Sequence, residues 1–320
     1  MEPAIDVQNV TRVFVEGGRP LTALDDVSFA VPCGQIVGLL GANGAGKTTL
    51  TKIVSTLLLP TAGSVRVMGV DVVREARTVR AMQSVVLGGD RGLYSQLSAR
   101  ENLRFFGMLD GLPRRRLAAR VDASLEEVGL GQAADRKVVG FSKGMRQRLH
   151  IAIGMISEPR VLLLDEPTVG LDPVEAARLR DSIGGLRDRG VTVLLTSHYL
   201  LDVEKLADQV VMMAHGRITH QMTMSDFAAS VGYAATIVAR GTGGLPPAGG
   251  LAGADIVDAR LASADGDGDG WILTMRLRTW SPDVFVRLGQ AFGDTVVQSL
   301  EVAPSTVEEA FLGLQETSVR

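Results

Sequence analysis

Four short stretches of this 320-residue chain have the residue types and spacing to handle a phosphate ester. The first, GANGAGKT at 41–48, fits G-x-x-x-x-G-K-[ST] and lies between the apolar run QIVGLL and the helix-forming run KTTLTKIVSTLL. Glycines there let backbone N–H groups curl around a phosphate, and the following helix start adds a partial positive charge. Gly41, Ala42, Asn43, Gly44, Ala45 and Gly46 would form the cradle, with Thr49 just inside the helix. Lys47 would reach the β- and γ-phosphates of a nucleotide, and Thr48 would ligate Mg²⁺.

The second stretch, VLLLDEPT at 161–168, ends an apolar strand in two carboxylates. Asp165 would sit at the C-terminal edge of a parallel sheet, where metal and nucleotide gather. Glu166 would orient and deprotonate an attacking water. Pro167 also suits a plain helix cap, in which case the pair would be structural. The third, TSHY at 196–199, brings His198 out at the end of the run VTVLLT, where it could hydrogen-bond a γ-phosphate. The fourth, FSKGM at 141–145, puts Ser142 and Gly144 ahead of a basic helical run, as at a helix N-terminus facing an anion. An ordinary serine-capped helix is the competing reading.

These stretches need elements to position them. Residues 1 to about 215 alternate β-rich and helical runs, with strands expected at IDVQNV, VSFAV, QIVGLL, SVRVMG, SVVLG, VLLLD, VTVLLT and QVVMMA. The continuous apolar runs predict parallel strands buried on both faces. The alternation predicts an α/β sandwich with a mostly parallel central sheet. Between about 90 and 157 three helical runs follow in succession, a helical subdomain. The domain boundary is expected at 220/221, followed over 221–320 by a small α+β domain: strands at ATIVAR, ADIVDARLA, WILTMRLRT and TVVQSLEVA, a helix from Ser281 and a last helix from Ser305. GTGGLPPAGGLAGA at 241–254 reads as a loop or linker. DGDGDG at 265–270 starts like a calcium loop, but Arg276 holds the twelfth position, so a β-turn is expected.

Composition narrows the class. Hydrophobic residues make up 46% and charged residues 22%, as in a globular protein, and the net charge of −3 supplies no global field for nucleic acid. The one cysteine, Cys33, leaves no internal disulfide and fits a reducing cytosol. MEPAIDVQNV does not read as a signal peptide, and no run of about 18 apolar residues offers a membrane span. PRRRL at 113–117 reads as a solvated helix start that could also touch acidic lipid or a membrane subunit.

In their order, GANGAGKT, FSKGM, VLLLDEPT, GLDP and TSH resemble the ATP-binding cassette of ABC transporters over residues 4 to about 220. The resemblance implies a P-loop ABC ATPase sandwich with an antiparallel N-terminal β part, and ATP with Mg²⁺ as cofactors. It implies that FSKGM is the signature motif and that two copies pack head to tail, Ser142 and Gly144 meeting the γ-phosphate held by the other copy. Lys143 and Met145 depart from the usual leucine-serine-glycine-glycine-glutamine. Asp172 would lie at the dimer interface, and Phe14 falls where an aromatic stacks on adenine. The family's glutamine after the strand SVVLG is replaced here by Gly89, with Asp90 beside it. SKGMRQRL, LYSQLSARENL and APSTVEEAFLGL resemble the daunorubicin-resistance branch of drug exporters. That implies an ATPase at the cytoplasmic face of the membrane, driving export of a drug, antibiotic or lipid through separate membrane subunits. The alternatives are a soluble cassette of DNA repair or translation, which would bring coiled coils, zinc modules or a second cassette, and a P-loop kinase or GTPase. The latter leaves FSKGM and TSHY unexplained.

Overall fold

The computed structural model describes residues 2–87, 92–230, 232–243, 256–263, 270–279, 283–292 and 296–304, with 309, 311 and 314. Gly89 and Asp90, residues 265–269 of the acidic repeat, and most of the stretches 241–254 and from Ser305 onward lie outside the described residues. The chain divides into two units, Met1–Met224 and Ser225–Arg320.

The first unit begins with β1 (Ile5–Glu16) and β2 (Arg19–Val31), followed by β3 (Ile36–Leu40), α1 (Lys47–Val54), β4 (Ala62–Val67) and β5 (Val70–Asp71). Then come α2 (Ala76–Met82), β6 (Gln83–Leu87), α3 (Ala99–Leu109), α4 (Arg114–Glu127) and α5 (Lys143–Gly154). It closes with β7 (Val161–Asp165), α6 (Pro173–Asp188), β8 (Thr192–Ser197), α7 (Leu200–Leu206), β9 (Gln209–Ala214) and β10 (Arg217–Thr223). A short helix α8 (Met224–Ala229) follows.

Six strands in the order β10-β9-β3-β8-β7-β6 form the central sheet. All its pairings are parallel except β9 with β10. β3 is fully buried and β7 is buried up to Asp165, because apolar layers cover both faces. Ile36, Leu162, Leu164 and Leu195 join one core with α3, α4, α5 and α6. Val37, Leu39, Leu163 and Leu194 join the other, with α1 and the antiparallel sheet β2-β1-β4-β5. Adjacent side chains of one strand thus serve different cores, as the pleat requires.

The β1–β2 pair runs further than the sequence suggested. Glu16 pairs with Arg19 across Gly17-Gly18, both at positive φ. A two-glycine turn suits the twist of a tight hairpin. β10 was likewise absent from the expected strands and pairs antiparallel with β9. In the helical part, α3, α4 and α5 pack on one another. Ser98 and Glu101 close a capping box at the start of α3, which fixes where that helix begins.

The second unit contains β11 (Ala235–Thr242), β12 (Ile256–Ser263), β13 (Gly270–Leu277), α9 (Asp283–Phe292) and β14 (Val296–Pro304). Its strands make an antiparallel sheet in the order β12-β13-β11-β14. Val284, Leu288 and Phe292 recur every four residues along α9 and bury one stripe against Ile237, Trp271 and Met275. Gly241 and Thr242, expected in the linker, belong to β11 and pair with Trp271 and Gly270.

Candidate functional site

Sheet register decides which residues can meet. Leu40 pairs with Ser197 across β3 and β8, Asp165 with Thr196 across β7 and β8, and Leu87 with Asp165 across β6 and β7. The C-terminal ends of four parallel strands therefore share one edge, and the loops that leave it are those carrying GANGAGKT, DEPT and TSHY.

At that edge β3 ends and the chain turns into α1. Gly46 is the N-cap of α1 at φ 107°, and a Cβ there would stand 2.7 Å from the Ala23 carbonyl oxygen of β2. A Cβ on Gly41 would stand 2.4 Å from the Met213 carbonyl oxygen of β9. Both glycines are required because the loop is clamped between two strands, not only by any ligand it curls around. Lys47 is buried and its Nζ donates to the Gly41 carbonyl at 2.6 Å and the Ala42 carbonyl at 3.2 Å. Burial pushes the Lys47 ammonium below the usual lysine range, and the Glu166 and Asp165 carboxylates act in the opposite direction. Ala42, Asn43, Gly44 and Thr48 are exposed, while Ala45 is buried and Thr49 half-buried.

Asp165 accepts a hydrogen bond from the Thr196 hydroxyl. Glu166 takes a left-handed φ of 49°, a conformation that costs a residue with a Cβ about 1–3 kcal/mol and has to be held by its surroundings. The holders are the Thr196 carbonyl and hydroxyl, which accept from the Glu166 N–H at 3.0 and 3.1 Å. Glu166 Oε1 lies 3.1 Å from His198 Nδ1, and the His198 ring packs on Tyr199 at 4.2 Å between centroids. So Lys47, Asp165, Glu166 and His198 come from three loops to one edge. Mg²⁺ takes one or two protein oxygens plus phosphate oxygens and water. The exposed Thr48 hydroxyl, in the first turn of α1 beside Lys47, and the Asp165 carboxylate, at the end of β7, are a donor set of that kind, both hard oxygens.

The other predicted residues lie elsewhere on the first unit. Ser142 is the N-cap of α5, accepts from the Met145 N–H at 3.1 Å, and is exposed. Gly144 is buried: a Cβ there would stand 2.2 Å from Glu175 Oε2 and 2.7 Å from Glu175 Cβ. This glycine has an intrachain reason, the close approach of α5 and α6. Arg148 strengthens that contact, pairing with Glu175 at 3.3 Å while donating to the Val128 and Gly129 carbonyls. Asp172 caps α6, accepting from the Val174 and Glu175 N–H groups at 3.0 Å each, with Pro173 at the first helical position. Phe14 is half-buried on β1 and carries the Arg12 guanidinium 4.5 Å above its ring.

Motif reading missed the residues that hold the loops. Thr196 serves both acidic residues, donating to the Asp165 carboxylate and accepting from the Glu166 N–H. Asp202, 1% exposed, binds the hydroxyls of Thr168 and Ser197 and the Arg180 guanidinium. The available signal was faint: a Thr-Ser pair closing an apolar strand, and an acid four residues after His198.

Comparison with known proteins settles the family. Residues 24–169 match the model of the ABC transporter family. The chain is 38% identical over 217 residues to the ABC transporter ATP-binding protein NatA of Bacillus subtilis, covering 68% of this chain and 88% of that one. The chain belongs to the ATP-binding proteins of ABC transporters. It is 45% identical over 210 residues to the daunorubicin resistance ATP-binding protein DrrA3 of Streptomyces coeruleorubidus, a match spanning 66% of each chain, about two thirds of that relative's length. Among solved structures it resembles cbiO1 of Clostridium perfringens, part of an ABC transporter complex, with a TM-score of 0.66 and 25% identity over 72% of this chain and 92% of that one. The first unit is an ABC ATPase cassette: it binds ATP, and its activity is ATP hydrolysis coupled to transport. Cassettes of this family dimerise and work with separate membrane subunits. No described helix is long and apolar enough to cross a membrane.

Proposed function

We propose that two copies of this ATPase subunit close head to tail around two ATP molecules and drive export through a separate membrane subunit at the cytoplasmic face. The observation that carries the dimer is the presence of two anion-facing helix ends on unshared supports. α1 packs on β2, β4 and β7, whereas α5 packs on α3, α4, α6 and β6. The Ser142 hydroxyl stands exposed at the second of these ends. A helix N-terminus with an exposed hydroxyl is built to meet an anion, and a second copy supplies one.

In the closed pair the N–H groups of Gly44 to Thr48 and the Lys47 ammonium hold the β- and γ-phosphates. Ser142 of the second copy donates to the γ-phosphate, and its helix dipole stabilises the charge that develops there. Glu166 accepts a proton from water as the water oxygen attacks the γ-phosphorus; the bond to the β,γ-bridging oxygen breaks, leaving ADP and phosphate. His198, held by Glu166, hydrogen-bonds the γ-phosphate. Mg²⁺, held by Thr48 and Asp165, would neutralise phosphate charge. Phe14 stacks on the adenine and Asp172 lies beside the opposite nucleotide. The two-unit division supports a nucleotide-binding domain over 1–220 and an accessory domain beyond it.

Drug or antibiotic export follows the relatives named for daunorubicin resistance. Two surfaces of the first unit support a polypeptide partner. Tyr94, Phe105 and Phe106 cluster edge to face, and Tyr94, Met108 and Leu109 are exposed beside them. A cleft of 790 Å³ is lined by Arg80, Gln83, Asp110, Arg115 and Arg116, and Gln83 Oε1 is buried there without a hydrogen-bond partner. Co-expression with a hydrophobic polypeptide of about six apolar spans tests the reading. The complex is expected to co-purify from membranes and to show ATP turnover, and Arg115→Glu with Arg116→Glu is expected to release the subunit while leaving basal turnover intact. A chain that never joins a membrane fraction, or that prefers GTP, contradicts it.

A further inference from the structure

Asp202 lies on α7 behind the nucleotide edge, 1% exposed, and no motif contains it. A buried carboxylate is costly unless its oxygens are hydrogen-bonded and its charge is paired. Asp202 has all of this, and each partner comes from a different part of the site. The Thr168 hydroxyl donates to Oδ2 from the loop that follows Glu166 by two residues. The Ser197 hydroxyl donates to the same oxygen at 3.1 Å, from the position just before His198. Ser197 Oγ also accepts from the Tyr199 N–H at 2.9 Å, so the hydroxyl staples both neighbours of His198. Arg180, on the helix that Asp172 caps, pairs with Oδ1 at 2.9 Å.

One side chain therefore ties together the loop carrying Glu166, the loop carrying His198 and the helix that starts at Asp172. Glu166 sits at φ 49°, a conformation its own backbone does not favour. Its N–H is fixed from one side by Thr196. Thr168, anchored on Asp202, fixes the turn from the other. We propose that Asp202 is a positioning residue for hydrolysis, holding Glu166 and His198 in mutual register through Thr168 and Ser197 without touching substrate. The inference rests on the roles given above to Glu166 and His198. It adds that the distance between them is set by a buried carboxylate anchor rather than by the two side chains alone.

Misplacing a catalytic group by about 1 Å costs on the order of a hundredfold in rate, with little effect on binding energy supplied elsewhere. The phosphate loop makes no contact with Asp202 in the bonds above, so KM for ATP and kcat should separate. The experiment measures kcat, KM and melting temperature for the full-length chain and three variants. Asp202→Leu with Arg180→Met replaces the ion pair by apolar groups of similar shape, so no unpaired charge is left behind. Thr168→Val removes a hydroxyl at constant shape, and Thr168→Ser restores it. The double variant is expected to lose about a hundredfold in kcat and Thr168→Val about tenfold, with KM within about twofold of wild type, and Thr168→Ser is expected to return near the wild-type rate.

A folded double variant or a Thr168→Val chain with wild-type kcat overturns the proposal. So does a rise in KM that matches the fall in kcat, because that reports collapse of the nucleotide pocket. If the double variant does not fold, the Thr168 pair decides alone. A wild-type chain inert toward ATP refutes the functional reading itself and the inference with it, whereas an active wild type with unaffected variants refutes only the inference.

Discussion

Replacing Ser142 by aspartate separates what this residue does for its own chain from what it does for a neighbour. Within the chain, Ser142 caps α5 by accepting from the Met145 N–H at 3.1 Å. Aspartate caps a helix about as well as serine, and a negative charge at a helix N-terminus adds about 0.3–1 kcal/mol. The residue is exposed, so the longer side chain meets no core. The fold should keep its stability or gain slightly. Across a head-to-tail interface the same carboxylate would face a γ-phosphate. Two like unit charges about 4 Å apart at an effective dielectric near 20 repel by about 4 kcal/mol. That corresponds to roughly a thousandfold in closed-dimer population or turnover. Phosphate release under saturating Mg²⁺–ATP, together with thermal melting, reads both effects. The expected result is a melting temperature at or above wild type with turnover lowered by two to three orders of magnitude, that is, about 100- to 1000-fold. Turnover within about threefold of wild type would refute the placement of Ser142 against a partner's nucleotide.

Glu166→Gln keeps the side-chain shape and the N–H bonds to Thr196 but loses the proton acceptor; turnover should fall about 10²–10⁴-fold while ATP retention and the closed dimer persist, measured by phosphate release and light scattering. Gly144→Ala forces Glu175 away from a Cβ it would approach to 2.2 Å at Oε2 and 2.7 Å at its own Cβ, and should cost about 1–3 kcal/mol in denaturant unfolding. Burial raises the Asp110 pKa above its ordinary 3.8, against a hydrogen bond from Ser157. Its contribution to stability is therefore fully present below the unfolded pKa and is lost as pH rises through the folded one. Asp110→Asn should raise the melting temperature at pH 7 and leave it unchanged near pH 3.5.

Much of this was legible because parallel α/β folds put their loops at one sheet edge. The apolar runs before Gly41, Asp165 and His198 announce strands buried on both faces, and a strand followed by a loop and a helix leaves few places for those residues. The hairpin through Gly17-Gly18 was missed because β1 carries polar residues on its outer face and lacks a continuous apolar run. β10 was missed for the same reason, being half exposed along its length. Asp202, Thr168 and Thr196 were invisible to spacing arguments, since Thr168 and Asp202 meet across 34 residues and Asp165 and Thr196 across 31. Such contacts depend on which strands are neighbours, and the order of strands in a sheet is not written locally. Gly144 shows a related limit: glycine reads as room for a ligand, yet the atoms nearest its absent side chain belong to Glu175 of its own chain.

The central claim is that each hydrolytic site takes its phosphate loop from one copy and its signature helix from another. Mixing two inactive variants tests it most directly. Lys47→Met disables the phosphate loop, and Ser142→Asp disables the signature end. In a head-to-tail pair of one with the other, both defects fall in the same site and the second site is whole. An equal mixture should recover about a quarter of the wild-type rate, since about half the pairs are mixed and each has one working site. A mixture no more active than the two variants measured apart, with pairing confirmed, would contradict the account.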